Sequence, residues 1–262
     1  MRRDAEPRPR RIFITGASSG IGAALVRHYA QDDVLLGLVG RRREALNALA
    51  AECGGKAQVF VADVADAAAM QSAAAQFVAT VGLPDIVIAS AGVSVGTLTE
   101  YAEDTDAFAR VMQTNVLGMV HTFQPFVAPM REAGGGTLVG IASVAGVRGL
   151  PGAGAYSASK AAVRRYLESL RVELHGSGVR VVTLSPGYID TPMTAVNRYP
   201  MPFLMPADVA AKRMARAIDA GRRHVVVPCQ MGVVAWVLGW LPDPVYDRLF
   251  ARAGRKPRGL PL

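Results

Sequence analysis

The sequence predicts a single doubly wound α/β domain: a parallel sheet of about seven strands with helices on both faces. Three observations predict it. Short apolar runs alternate with longer segments of helical period. The runs are apolar throughout rather than on every second residue, in a chain that is 51% hydrophobic, which suits strands covered on both sides. A glycine-rich turn follows the first run directly.

Taken in order, the predicted strands are 12–15, 34–39, 57–61, 85–89, 137–142 and 179–184, with a helix-like segment in each gap. Right-handed crossovers place such strands in one parallel sheet. No Pro/Ser-rich linker interrupts the series, so residues 11–230 read as one domain. After Pro186-Gly187 the rhythm changes. Residues 188–206 carry four prolines among Met193, Met201, Phe203, Leu204 and Met205, and read as a loop with an apolar middle that covers something. A helix over 207–220 and a last strand over 224–227 close the domain. Residues 231–262 read as an apolar extension, a short helical pattern and a basic tail, and residues 1–10 as a flexible basic tail.

The net charge is +8, but the excess sits at the ends: Arg2, Arg3, Arg8, Arg10 and Arg11 at one, Arg252, Arg255, Lys256 and Arg258 at the other. Solvated tails explain this better than nucleic acid, which wants a basic face on the folded body. Cys53 and Cys229 are far apart without ligand spacing, so neither a disulfide framework nor a metal site is indicated, and a reducing, cytoplasmic setting is expected. The apolar run 12–14 is too short for an export signal. The stretch 231–241, with Trp236 and Trp240, falls short of the roughly 18 apolar residues of a membrane span. It reads first as subunit contact or pocket wall, and only secondarily as peripheral membrane contact.

The first strand runs into Thr15-Gly16-Ala17-Ser18-Ser19-Gly20-Ile21-Gly22 and then a helix. Glycines let backbone approach a pyrophosphate, and the free N–H groups of the helix start favour anions. The same residues match the nucleophile elbow G-x-S-x-G with Ser18 as nucleophile. That reading needs a later acid and histidine, and His121, His175 and His224 all lack a catalytic context. The second strand ends in Gly40-Arg41-Arg42-Arg43, where a carboxylate would hydrogen-bond the ribose of NAD. Guanidinium groups there grip a 2′-phosphate instead, so NADP(H) is the expected cofactor. Asp63-Val64 and Ser90-Ala91-Gly92 end the third and fourth strands, at the carboxyl edge where such sheets bind ligands.

The fifth strand ends in Ser143, and Tyr156 and Lys160 follow at the start of a helix, four residues apart on one face. A cation beside the phenol lowers its pKa and lets Tyr156 trade a proton with a carbonyl or alcohol oxygen, while Ser143 holds that oxygen.

Together these residues resemble the short-chain dehydrogenase/reductase family, whose domain is of the Rossmann type, over roughly residues 10–230. Thr15 to Gly22 is similar to its T-G-x-x-x-G-x-G loop, Ser90-Ala91-Gly92 to its N-A-G element, and Ser143, Tyr156 and Lys160 to its catalytic triad. Asn115 matches its helical asparagine, and Pro186-Gly187 with Ile189 and Thr191 its nicotinamide-side segment. The resemblance implies that Lys160 also binds the nicotinamide ribose, that Asn115 supports a water-linked proton relay, and that Asp63-Val64 lies by the adenine. It further implies a homodimer or homotetramer packed through the helices carrying Asn115 and Tyr156. Two departures stand out: Ser90 replaces the usual asparagine, and Ser19 stands where NADP-preferring relatives often carry a basic residue. That leaves Arg41 and Arg42 for the 2′-phosphate. The apolar 188–206 segment then points to a lipophilic carbonyl or alcohol as substrate. The rival from another class is a catalytically idle NADPH-binding sensor or scaffold, which has no need of Ser143, Tyr156 and Lys160 together.

Overall fold

The computed structural model describes residues 8–260. The chain runs β1 (Arg10–Thr15), α1 (Gly20–Tyr29), β2 (Val34–Gly40), α2 (Arg43–Glu52), β3 (Ala57–Val61), α3 (Ala67–Val81) and β4 (Ile86–Ala89). It continues through α4 (Asp104–Met112), a π-helical turn (Gln113–Leu117), α5 (Gly118–Glu132), β5 (Gly136–Ile141), α6 (Gly154–Glu173) and β6 (Val179–Pro186). Last come β7 (Ile189–Asp190), α7 (Pro192–Ala195), β8 (Met205–Pro206), α8 (Ala207–Asp219), β9 (His224–Val227), α9 (Cys229–Trp240) and α10 (Asp243–Phe250).

Seven strands form one parallel sheet in the order β3-β2-β1-β4-β5-β6-β9. The pleat sorts their side chains between two cores. Ile12 and Ile14 of β1, Leu36 and Leu38 of β2, and Ile86 and Ile88 of β4 meet α1, α2 and α8 on one face. Phe13, Val39 and Val87 point the other way, toward α3, α5 and α6. Phe13 is fully buried there with Phe77 and Phe126 edge-on at 5.3 and 5.0 Å. Because both faces are covered, every strand had to be apolar on both, which is the pattern the sequence carries. The strand order reverses between β1 and β4, and the carboxyl ends on either side of that switch open a crevice.

Three sequence expectations change. The basic termini are not free tails where they are described, although Arg8, Arg252 and Arg255 stay exposed. Arg10 begins β1 and pairs with Asp219 at 2.8 Å, and Arg8 pairs with both oxygens of Asp85. At the other end Lys256 is buried and Arg258 bonds Asp104. These partners lie far off in sequence, so charge counting could not supply them; Arg2 and Arg3 lie outside the described residues. The 188–206 loop holds a two-stranded parallel ladder, β7 with β8, around the short α7. Its Ile189 and Met205 close the domain's own core, while Phe203 and Leu204 stay exposed. The apolar stretch 231–241 is mostly helix. Met231 and Ala235 of α9 are buried, whereas Trp236 and Trp240 are 67% and 76% exposed. No helix among the described residues is long and apolar enough to cross a membrane.

Candidate active site

A cleft of about 680 Å³ lies along the carboxyl ends of the central strands. Its floor is the loop between β1 and α1. Gly16 has φ +66°, and a Cβ there would sit 2.6 Å from the Ala91 backbone, so the loop can rest on the Ser90-Ala91-Gly92 segment only with glycine. On its far side the loop comes up to Thr191, whose Cγ2 would lie 3.4 Å from a Cβ on Gly20. Helix α1 starts at Gly20 with no side-chain cap and no acidic residue in its first turn, leaving its first N–H groups for an anion.

At one end of the cleft stand Arg41 and Arg42. Arg42 turns back on the loop, donating from Nη2 to the Ser18 carbonyl and to Ser18 Oγ, both at 3.1 Å. Arg41 Nη1 lies 3.8 Å from Asp63 Oδ2, a long and half-exposed pair that leaves its donors mostly unspent. Helix α2 begins at Arg43 without a side-chain cap, so cations crowd the positive end of a helix dipole, an arrangement that an anion relieves. Ser18 is thus paired with an arginine. Of the histidines, His121 Nδ1 contacts the Val64 carbonyl and His224 Nε2 contacts Ser185 Oγ, so neither serves Ser18 as a hydrolase base.

At the other end Tyr156 and Lys160 line the cleft from the first turns of α6. Ser143, buried just beyond β5, caps a short 3-10 turn by accepting from Ala145 N, and its hydroxyl also hydrogen-bonds to the Tyr156 phenol. Burial pushes the phenol's pKa up, and the Ser143 hydrogen bond pulls it partly back. The sequence expectation that Lys160 lowers the phenol is not met. The Lys160 ammonium donates to the Ile141 carbonyl at 2.8 Å and sits 5.7 Å from the centre of the Tyr156 ring, and burial pulls its own pKa down to about 8. What the arrangement offers chemically is a protonated phenol beside a hydroxyl donor, able to hold an oxygen atom and give it a proton.

Asn115 lies in the π-helical turn between α4 and α5, a widening of the kind often found at functional sites. Its side chain is spent on structure. Oδ1 accepts from Val93 N at 2.8 Å, and Nδ2 donates to Val93 O at 3.0 Å and Ser159 Oγ at 2.9 Å. Ser159 in turn donates to the Tyr156 carbonyl, so the amide ties the segment after β4 to the helix carrying the phenol.

Of the residues expected at the cofactor, Gly16, Ser18, Ser19, Gly20, Ile21, Gly22, Arg41, Arg42, Asp63, Val64, Ser90, Ala91, Gly92, Tyr156, Lys160, Pro186 and Thr191 all line the cleft. Gly187 and Ile189 lie behind it: a Cβ on Gly187 would meet Met231 of α9, and the Ile189 side chain is in the core. Sequence reasoning missed Thr114, Ser159, Met193, Val196 and Leu260. Thr114 and Ser159 neighbour residues already singled out, and the apolar 188–206 segment hinted at Met193 and Val196, whereas nothing local marks Leu260.

A family model described as short chain dehydrogenase matches residues 10–201. An uncharacterised oxidoreductase of Myxococcus xanthus is 38% identical over 246 residues, covering 93% of this chain and 97% of the relative. A 2-dehydro-3-deoxy-L-rhamnonate dehydrogenase (NAD(+)) of a Sphingomonas species is 36% identical over 181 residues, 69% of this chain and 72% of that one. Among solved structures, a short-chain dehydrogenase from Streptomyces avermitilis superposes with a TM-score of 0.80 at 25% identity, covering 93% of this chain and 96% of that one. A 3-ketoacyl-(acyl-carrier-protein) reductase from Brucella melitensis, complexed with NADH, gives 0.78 at 25% identity over 84% and 97%. The glycine cradle, the strand-end switch and the fold all agree with these matches. The chain belongs to the short-chain dehydrogenase/reductase family of oxidoreductases, which work with a nicotinamide cofactor.

Proposed function

We propose that the protein is an NADP(H)-dependent oxidoreductase that interconverts a carbonyl and a secondary alcohol on a lipophilic small molecule, with Tyr156 as acid and base. The observation that carries this reading is the shape of one cleft, with Tyr156 and Lys160 at one end, Arg41 and Arg42 at the other, and a glycine loop along its floor. A bound nicotinamide nucleotide supplies the hydride donor or acceptor.

The chain's own residues do the rest. The glycine loop and the start of α1 hold the pyrophosphate. Arg41 and Arg42 hold the 2′-phosphate, with Asp63 and Val64 beside the adenine. Relatives named for NAD(+) or crystallised with NADH do not decide the matter for this chain, in which two arginines stand where a ribose-binding carboxylate would. Ser143 and Tyr156 receive the substrate oxygen. In reduction the phenol gives up its proton as the oxygen gains charge, and the Ser143 hydrogen bond stabilises the phenolate that remains, while Lys160 is held at the end of β5 by the Ile141 carbonyl. Oxidation runs the same step backwards. Asn115 keeps α6 in register with the segment after β4, and so positions the phenol. Three features favour an enzyme over an idle nucleotide-binding protein: the Ser143 hydroxyl on the phenol, the buried ammonium, and the apolar wall of Met193 and Val196.

The reading includes a cytoplasmic setting for two unpaired cysteines and assembly into a homodimer or homotetramer; Phe108 and Leu117, 41% and 44% exposed beside the π-helical turn, support the latter. Steady-state turnover of a panel of ketones with NADPH and with NADH tests the function. Turnover of apolar aryl and alicyclic ketones with NADPH is expected. Binding of neither nucleotide, or turnover confined to small hydrophilic carbonyls, would overturn it.

A further inference from the structure

Residues 253–260 run across the Tyr156 end of the cleft and are fastened there at several points. The Lys256 side chain is buried, and its Nζ donates to the Met193 carbonyl at 2.9 Å, beside a residue that lines the cleft. The Pro257 carbonyl accepts from Gly96 N at 2.9 Å. The backbones are so close that any Cβ on Gly96 would run into the Lys256 carbonyl. Arg258 makes the strongest fastening. Its Nε and Nη2 reach the two oxygens of Asp104 at 2.7 and 3.2 Å, Nη2 also meets Glu103 at 3.1 Å, and its guanidinium lies 3.5 Å from the centre of the Tyr101 ring. Asp104 is itself nearly buried and accepts from Leu98 N, so its carboxylate is fixed to receive the guanidinium in a paired geometry.

Two residues past this clamp, Leu260 packs on the small cluster of Val95, Val111 and Ala155 and faces the cleft that Tyr156 lines. The segment therefore links three parts of the chain: the segment after β4, the start of α4, and the stretch through Met193. None of them belongs to the nucleotide end.

We propose that residues 253–260 form a fixed wall of the substrate end of the cleft and that Leu260 is a specificity-determining residue, limiting the bulk of the apolar group a ketone can carry beside Tyr156. This rests on the function proposed above. Arg258 and Asp104 act as positioning residues for that wall. An aliphatic side chain is a coarse filter that admits or refuses volume, so it sorts ketones by size and not by hydrogen bonding.

The test uses the full chain with Leu260→Ala and Arg258→Gln, and two probes, acetophenone and the bulkier benzophenone. Each ketone's Kd is measured by calorimetry with and without oxidised nucleotide, and kcat/KM with NADPH. Leu260→Ala is expected to raise the preference for benzophenone by about tenfold or more, with the nucleotide Kd unchanged. Arg258→Gln is expected to move the preference the same way and to speed tryptic cleavage after Arg255 as the 253–260 segment loosens. Should Arg258→Gln fail to fold, Leu260→Ala decides alone, since its half-exposed side chain is a minor part of the core. An unchanged ketone preference in Leu260→Ala, or a wild type that binds neither ketone, overturns the proposal. Shifted ketone binding without any hydride transfer would sink the proposed function and leave the wall standing.

Discussion

Arg42 folds back over the phosphate-binding loop and donates to both the carbonyl and the hydroxyl of Ser18 at 3.1 Å. The contact holds a guanidinium at the nucleotide end of the cleft, with further N–H donors available to a phosphate. Arg42→Ala is expected to weaken NADPH about 10–100-fold, the value of a charge-assisted pair, and to change NADH about twofold or less. Titration of nicotinamide fluorescence with each nucleotide reads this directly. Equal losses for both would mean that Arg42 only braces the loop.

Gly16 is the residue on which the cradle turns. An alanine there needs a left-handed backbone and brings its Cβ to 2.6 Å from Ala91. Gly16→Ala is expected to destabilise the fold by about 1–3 kcal/mol and to abolish nucleotide binding at micromolar concentration. Urea unfolding, with and without NADPH, checks both: wild type gains stability from the nucleotide, and the variant does not.

Most of the sheet was legible because the central strands are buried on both faces and so carry near-continuous apolar runs, as at 34–39. The site was legible where backbone demands glycine or where chemistry demands a type at a spacing, as with Gly16, and with Tyr156 and Lys160. The termini were not. Arg10 with Asp219, and Arg258 with Asp104, are paired across most of the chain, and no local pattern encodes such partners. The hydrogen-bond partner of Lys160 was hidden in another way. Helical spacing put it on the phenol's face, but the buried ammonium takes the Ile141 carbonyl, which a period count cannot see.

Asn115 spends its amide on Val93 and Ser159. Asn115→Ala leaves the half-buried Val93 N–H and carbonyl without these partners, at a cost of about 1–3 kcal/mol. Thermal unfolding should show a Tm several degrees lower, with kcat reduced and KM for the nucleotide little changed. Full stability in the variant would remove the positioning role.

The buried lysines set a pH dependence. Burial pulls Lys160 and Lys256 from an ordinary value of 10.5 to about 8 in the fold. Between those values the unfolded chain holds protons that the folded one has released, so raising the pH favours folding. Stability of the nucleotide-free protein is therefore expected to rise from pH 8 to 10. Above 10 it should fall, because burial raises Tyr166 and Tyr199 to about 12 and the unfolded tyrosines lose their protons first. Lys160→Met should flatten the rising limb by about 1 kcal/mol per pH unit, measured by urea unfolding across the range. An unaltered slope would place the lysine in contact with solvent.

The most direct measurement is a single-turnover reaction, following the loss of nicotinamide absorbance when protein saturated with NADPH meets an apolar ketone, in wild type and in Tyr156→Phe. The variant keeps the ring and removes the hydroxyl that carries the proton the mechanism requires. Rapid oxidation by wild type, slowed about 10²–10⁴-fold in Tyr156→Phe with NADPH still bound, is the predicted result. Equal rates in the two proteins would contradict the assignment of Tyr156 as the acid.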